Sequence, residues 1–90
     1  MAKVEIYTQW GCPYCTRAKA LLDRKGAAYT EHDTTLGGAP KAEMQARFPG
    51  ARTVPQIIIG TTIVGGCDDL HALDAAGKLD ALLAASGLPA

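Results

Sequence analysis

A β-strand that runs straight into a Cys-x-x-Cys at the mouth of a helix is the feature that most constrains this chain. Lys3-Val4-Glu5-Ile6-Tyr7-Thr8 alternates polar and apolar residues and is rich in strand formers. Cys12-Pro13-Tyr14-Cys15 follows at once, and Thr16 to Lys25 carries good helix formers with Cys15, Ala18 and Leu22 on one face. Gly26 is a natural helix stop. A strand–helix–strand opening favours a parallel pair joined by a right-handed crossover. Tyr29 to Asp33 supplies the second strand.

The rest of the chain completes a small sheet. A Gly37-Gly38 turn leads to a helix from about Pro40 to Arg47, with the proline suited to a first turn, and Phe48 to Arg52 reads as a loop. Val54 to Gly60 is the most apolar strand. Pro55 fits only its start, because proline cannot donate to a sheet ladder. Thr61 to Val64 returns after a tight turn, so the two strands form a hairpin. Gly65-Gly66 breaks the chain, and Asp68 and Asp69 stand where a helix start favours acids and caps. That helix runs to about Ala76, Gly77 ends it, and a last helix covers roughly Lys78 to Ala85. The expected fold is α/β: a four-stranded mixed sheet, two parallel strands plus an antiparallel hairpin, with helices on both faces. At 90 residues, one domain over 1–90 is expected.

Composition narrows the function. Nine basic residues balance nine acidic ones, so no basic surplus points to nucleic acid and no basic amphipathic stretch points to a membrane. No apolar run is long enough for a bilayer span, and Met1-Ala2-Lys3-Val4-Glu5 carries no signal-peptide core. The expectation is a cytosolic monomer. In that compartment three cysteines, Cys12, Cys15 and Cys67, read as reactive or metal-binding rather than as a disulfide framework.

Cysteines three apart on a first helical turn are neighbours, roughly 5–6 Å apart, within the span a disulfide bridges. The loop they would close is so short that the bond contributes only on the order of 2 kcal/mol. Such a bridge is a poor staple and a convenient switch. Cys12 lies where the strand ends and unpaired backbone N–H groups and the helix dipole favour a thiolate. Cys15 sits one turn in, nearer the buried face. Cys12 is therefore expected as nucleophile and Cys15 as resolving thiol.

Cys12-Pro13-Tyr14-Cys15, Thr53-Val54-Pro55 and Gly65-Gly66-Cys67-Asp68-Asp69, in that order, make the chain resemble a glutaredoxin over nearly its whole length. The Cys-Pro-Tyr-Cys form is similar to the dithiol class and to the small bacterial glutaredoxin 3 type. The resemblance implies a thioredoxin fold, a cis peptide before Pro55, no bound cofactor, and glutathione as co-substrate. It implies that Val54 pairs its backbone with the cysteinyl part of glutathione beside Thr53 and Pro55. The backbone at Gly66, Cys67 and Asp68 would receive the γ-glutamyl carboxylate, in keeping with the helix N-terminus there. The Asp68 side chain would meet the γ-glutamyl amine, and Tyr14 would flank the tripeptide. Many members carry a lysine three residues before the first cysteine. Here it is Gln9, and Arg47 or Arg52 is expected to supply the charge for the glycyl carboxylate.

The substrates so implied are glutathionylated or disulfide-bonded proteins, with ribonucleotide reductase as a family-level candidate. Two other readings stay open: a redoxin served by thioredoxin reductase, and a module holding an iron–sulfur cluster through soft cysteine ligands. A closed mononuclear site wants four ligands, and there is no second Cys-x-x-Cys. Cys67 reads as a small apolar filler. Trp10 reads either as packed over the site or as an exposed loop aromatic, and His32 and His71 as surface residues.

Overall fold

The computed structural model describes residues 2–85. The elements run β1 (Val4–Thr8), α1 (Pro13–Arg24), β2 (Tyr29–Asp33), α2 (Gly38–Arg47), β3 (Gln56–Ile59), β4 (Thr62–Gly65), α3 (Cys67–Ala75) and α4 (Leu79–Ala85). The sheet order is β2-β1-β3-β4. β1 pairs parallel with β2, from Val4 opposite Tyr29 to Thr8 opposite Asp33. It pairs antiparallel with β3, Val4 opposite Ile59, and β3 pairs antiparallel with β4. The expected mixed sheet is therefore present.

Its central strand has no solvent face: all five β1 residues are buried. Successive side chains of a strand point to opposite faces, so Val4 and Ile6 serve one core and Tyr7 the other. The larger core packs Val4, Ile6, Ile57 and Ile59 against Ala18, Leu21 and Leu22 of α1, Leu70 of α3, and Leu79 and Leu83 of α4. The smaller packs Tyr7 and Ile58 against Met44 of α2 and Phe48. Each fully buried aliphatic side chain contributes about 1.5–3 kcal/mol. Helices on both faces thus hold β1 rigidly, and the Cys-x-x-Cys hangs from its C-terminal end.

Element boundaries have identifiable reasons. α1 begins at Pro13, with the Cys-x-x-Cys on its first turn as expected, because Cys12 caps it and the missing proline N–H had no helical partner. β3 begins at Gln56 rather than Val54, because Pro55 has no N–H for the ladder; Gln56 takes up pairing opposite Tyr7. β4 extends to Gly65, one residue beyond the expected Val64.

Candidate active site

After β1, Gln9-Trp10-Gly11 turns the chain, with Gly11 at φ 76. Cys12 donates its backbone N–H to the Gln9 carbonyl at 3.3 Å. Its sulfur occupies the place of an N-cap oxygen and accepts the Cys15 backbone N–H at 3.1 Å. The Cys12 carbonyl accepts the Thr16 N–H at 3.2 Å, which closes the first turn of α1. The helix start itself therefore holds the Cys12 sulfur outward.

The two thiols differ sharply. Cys12 is half-buried and Cys15 is 2% exposed; both are free. Burial, and secondly the hydrogen bond to Cys12, pushes the Cys15 thiol up to about 12. Cys12 is the thiol a substrate can reach, and Cys15 is one that must be drawn out of its proton.

The Val54–Pro55 peptide is cis. It brings Val54 over Cys12, whose thiol points to the Val54 carbonyl at 3.7 Å. Beside this contact lies a groove of about 390 Å³, within the usual size range of small-molecule sites. It gathers Tyr14 from α1, Thr53, Val54 and Pro55 from the loop before β3, and Gly66, Cys67, Asp68 and Asp69 at the start of α3. Tyr14 is 53% exposed at its rim. Gly66 caps α3, and its N–H donates to the Asp69 carboxylate at 2.9 Å. Capping thus falls to Asp69, and the Asp68 side chain, exposed in the groove, carries no hydrogen bond or ion pair among the described residues. Cys67 is buried, which pushes its thiol up, and its sulfur lies 3.5 Å from His71 Nδ1.

An adjoining pocket shares Thr53 and Val54 with the groove and is also lined by Gln9, Lys41 and Arg52. Lys41 and Arg52 bring positive charge to the groove's far end. Lys41 was not anticipated from sequence; a lysine on an exposed helix face carries no local signal of what it borders.

Arg47 is not brought to the groove. Its guanidinium instead donates to Glu5 at 2.8 and 2.9 Å and to the Tyr7 hydroxyl at 2.7 Å. Glu5 sits on a strand covered on both faces, and a buried carboxylate without a partner costs several kcal/mol. Arg47 holds the Glu5 carboxyl down to about 2. His32 is half-buried in the same cluster, stacked on Tyr7 and 3.1 Å from Glu5, rather than a surface residue; His71 is half-buried as well. Glu5, His32 and Glu43 could each offer a metal ligand atom within 4.8 Å of the others. Arg47 already bonds both carboxylates, so a cation there would face a guanidinium. Trp10 is 85% exposed, which settles its two readings in favour of the exposed aromatic.

The Glutaredoxin family model matches residues 4–64. The chain belongs to the glutaredoxin family. It is 58% identical to a glutaredoxin of Pseudomonas aeruginosa over 86 residues, covering 94% of this chain and 100% of the relative. It is 55% identical to glutaredoxin 3 of Escherichia coli over 83 residues, covering 92% and 99%. The solution structure of a Brucella melitensis glutaredoxin superposes with a TM-score of 0.82 at 56% identity, covering 99% of this chain and 96% of that one. A buckwheat glutaredoxin solved as its glutathione complex gives a TM-score of 0.78 at 32% identity, covering 91% and 76%. Family and fold together make this chain a thiol–disulfide oxidoreductase with a thioredoxin fold.

Proposed function

We propose that this glutaredoxin reduces glutathione mixed disulfides and protein disulfides, with glutathione as electron donor. The observation that carries the reading is the groove running from Tyr14 past Thr53-Val54-Pro55 to the α3 N-terminus, beside the accessible thiol Cys12. The buckwheat glutaredoxin's glutathione complex supports it. The γ-glutamyl carboxylate meets the Cys67 and Asp68 backbone N–H groups, where the helix dipole favours an anion. The unpartnered Asp68 carboxylate takes the amine, Val54 offers its backbone to the cysteinyl unit beside Thr53 and Pro55, and Tyr14 flanks the tripeptide. Lys41 and Arg52, not Arg47, take the glycyl carboxylate.

In the monothiol route the Cys12 thiolate attacks the glutathione sulfur of a protein mixed disulfide. A bond forms between Cys12 and glutathione, the protein–glutathione bond breaks, and the protein leaves as a thiolate that takes a proton from solvent. A second glutathione, as thiolate, attacks that mixed disulfide, releases Cys12 and departs as glutathione disulfide. For a protein disulfide, Cys12 forms the mixed disulfide and Cys15 then displaces the protein thiol. The resulting Cys12–Cys15 bridge is reduced by two glutathiones. The three free thiols suit a reducing compartment, and we place the protein in the cytosol.

The test is turnover coupled to glutathione reductase on wild type, Cys12→Ser and Cys15→Ser. Cys12→Ser is inactive; Cys15→Ser retains deglutathionylation and loses protein-disulfide reduction. Full activity of Cys12→Ser, or turnover with thioredoxin reductase matching that with glutathione, refutes the proposal.

A further inference from the structure

Both thiols border a second cavity of about 300 Å³, distinct from the glutathione groove and lined by charged and hydroxyl side chains, among them Thr8, Lys19, Glu31 and Asp33. Lys19 follows Cys15 by one helical turn, so the two share a face of α1. Its ammonium is held by Glu31 of β2 at 3.0 Å, and the same carboxylate oxygen accepts the Thr8 hydroxyl at 2.7 Å. The tether keeps the Lys19 side chain 29% exposed rather than extended into solvent. We propose that Lys19, tethered by Glu31, is a positioning residue that accelerates the resolving attack of Cys15 by setting a positive charge beside the sulfur as it becomes a thiolate.

The charged and titratable groups facing Cys15 fit that role. In the reduced protein Cys12, from the helix cap, opposes a second negative sulfur, an influence removed once Cys12 is in a disulfide; the Gln9 backbone and the Lys19 ammonium favour one. The influence is reciprocal, since Cys15 in turn favours the charged form of Lys19. Glu31 keeps Lys19 protonated, yet its own negative charge lies at the same cavity and offsets part of the benefit. The ion pair is therefore a damped charge, and its two halves act on Cys15 with opposite sign. In the step itself Cys15 gives its proton to a solvent base and its sulfur bonds to Cys12. The bond from Cys12 to the outgoing sulfur breaks, and the outgoing thiolate leaves with the electron pair.

The inference rests on the dithiol reading of the site, but it is measured without glutathione. Protein is prepared with Cys12 in a mixed disulfide with 5-thio-2-nitrobenzoate, and release of the coloured thiolate is followed between about pH 6 and 8, where the Cys15 thiolate fraction rises with pH. Cys15→Ser gives the background, and failure of glutathione-coupled turnover in wild type would count against the proposed function and not against this assay. Lys19→Gln slows release about three- to tenfold at each pH, because the charge that favours the Cys15 thiolate is gone. Glu31→Gln, whose amide oxygen still accepts from Lys19 and Thr8, removes the opposing negative charge and accelerates release, whereas Glu31→Ala loses the tether and slows it; Lys19→Arg stays within about twofold of wild type. A purely structural ion pair would make Lys19→Gln and Glu31→Gln act alike, because each removes the pairing of opposite charges. Changes in the same direction in these two variants, or no change in either, overturn the proposal.

Discussion

Replacing Arg47 by methionine separates two roles that an arginine at this position could have. In the structure the guanidinium makes two hydrogen bonds to Glu5 and one to Tyr7, and Arg47 lines neither the groove nor the adjoining pocket. Arg47 is the foremost reason the Glu5 carboxyl falls from 4.5 to about 2; burial alone would raise it. A fall of that size corresponds to about 3 kcal/mol of native-state stability at neutral pH. The side chains of Arg47 and Glu5 are 28% and 12% exposed, and solvent screening brings the expected loss in Arg47→Met to about 2–3 kcal/mol.

The pH dependence has a fixed direction. Because the folded-state carboxyl is depressed, its stabilisation is complete above the unfolded value of 4.5 and disappears as pH falls toward about 2. The gap between wild type and Arg47→Met therefore narrows on acidification, from about 2–3 kcal/mol at pH 7 to about 1 at pH 3. Urea unfolding at both pH values measures the gap, and glutathione-coupled kinetics at pH 7 measures the groove. The expected kinetic result is a KM for glutathione within about twofold of wild type. A gap that does not narrow with acid would refute the electrostatic account of Glu5. A large rise in KM at unchanged stability would put Arg47 back in the glutathione site.

Other expectations follow from individual contacts. Asp68→Asn raises the KM for glutathione about fivefold, the loss of about 1 kcal/mol from one charged hydrogen bond, while its thermal melt stays put because Asp69 is the capping acid; an equal drop in melting temperature would mean that Asp68 caps. Gly65→Ala costs about 2 kcal/mol in urea unfolding, since Gly65 has φ +104 and an added Cβ would come 2.5 Å from the Asp69 carboxylate; a neutral substitution would show that the α3 start is pliable. Gln9→Lys adds a third cation to the pocket of Lys41 and Arg52 and lowers the KM for glutathione about two- to threefold at low salt. That gain fades near 1 M salt, and a gain that survives would not be electrostatic.

Much of this fold is written locally. The apolar run Ile57-Ile58-Ile59, the spacing of Ala18 and Leu22, and the glycines at 26 and 77 each act within a few residues, and the corresponding elements appear where expected. The start of β3 moved because a backbone N–H decided the matter at Pro55. The groove residues were expected from the resemblance to glutaredoxins, and two parts of the groove also leave local signatures. Cys12 caps α1 and Gly66 caps α3, and two helix starts on one sheet leave signatures in short stretches of sequence.

The charges were less legible, because they are assigned by contacts between distant residues. Glu5 and Arg47 are 42 residues apart and meet only once β1 is covered by α2. Alternation in Lys3 to Thr8 suggests a strand with one wet face, and on that reading Glu5 needs no partner and Arg47 stays available for a ligand. β1 is instead central, between β2 and β3, so its polar face is dry. A dry glutamate demands a cation, and the arginine whose helix covers that face is consumed by it. Lys19 differs on the other face: its partner Glu31, held by the Thr8 hydroxyl, is exposed, and the pair borders the same cavity as Cys15. In this fold, strand order decides which cation a buried acid consumes: Arg47, opposite Glu5, serves the core, whereas Lys41 and Arg52 line the pocket beside the groove.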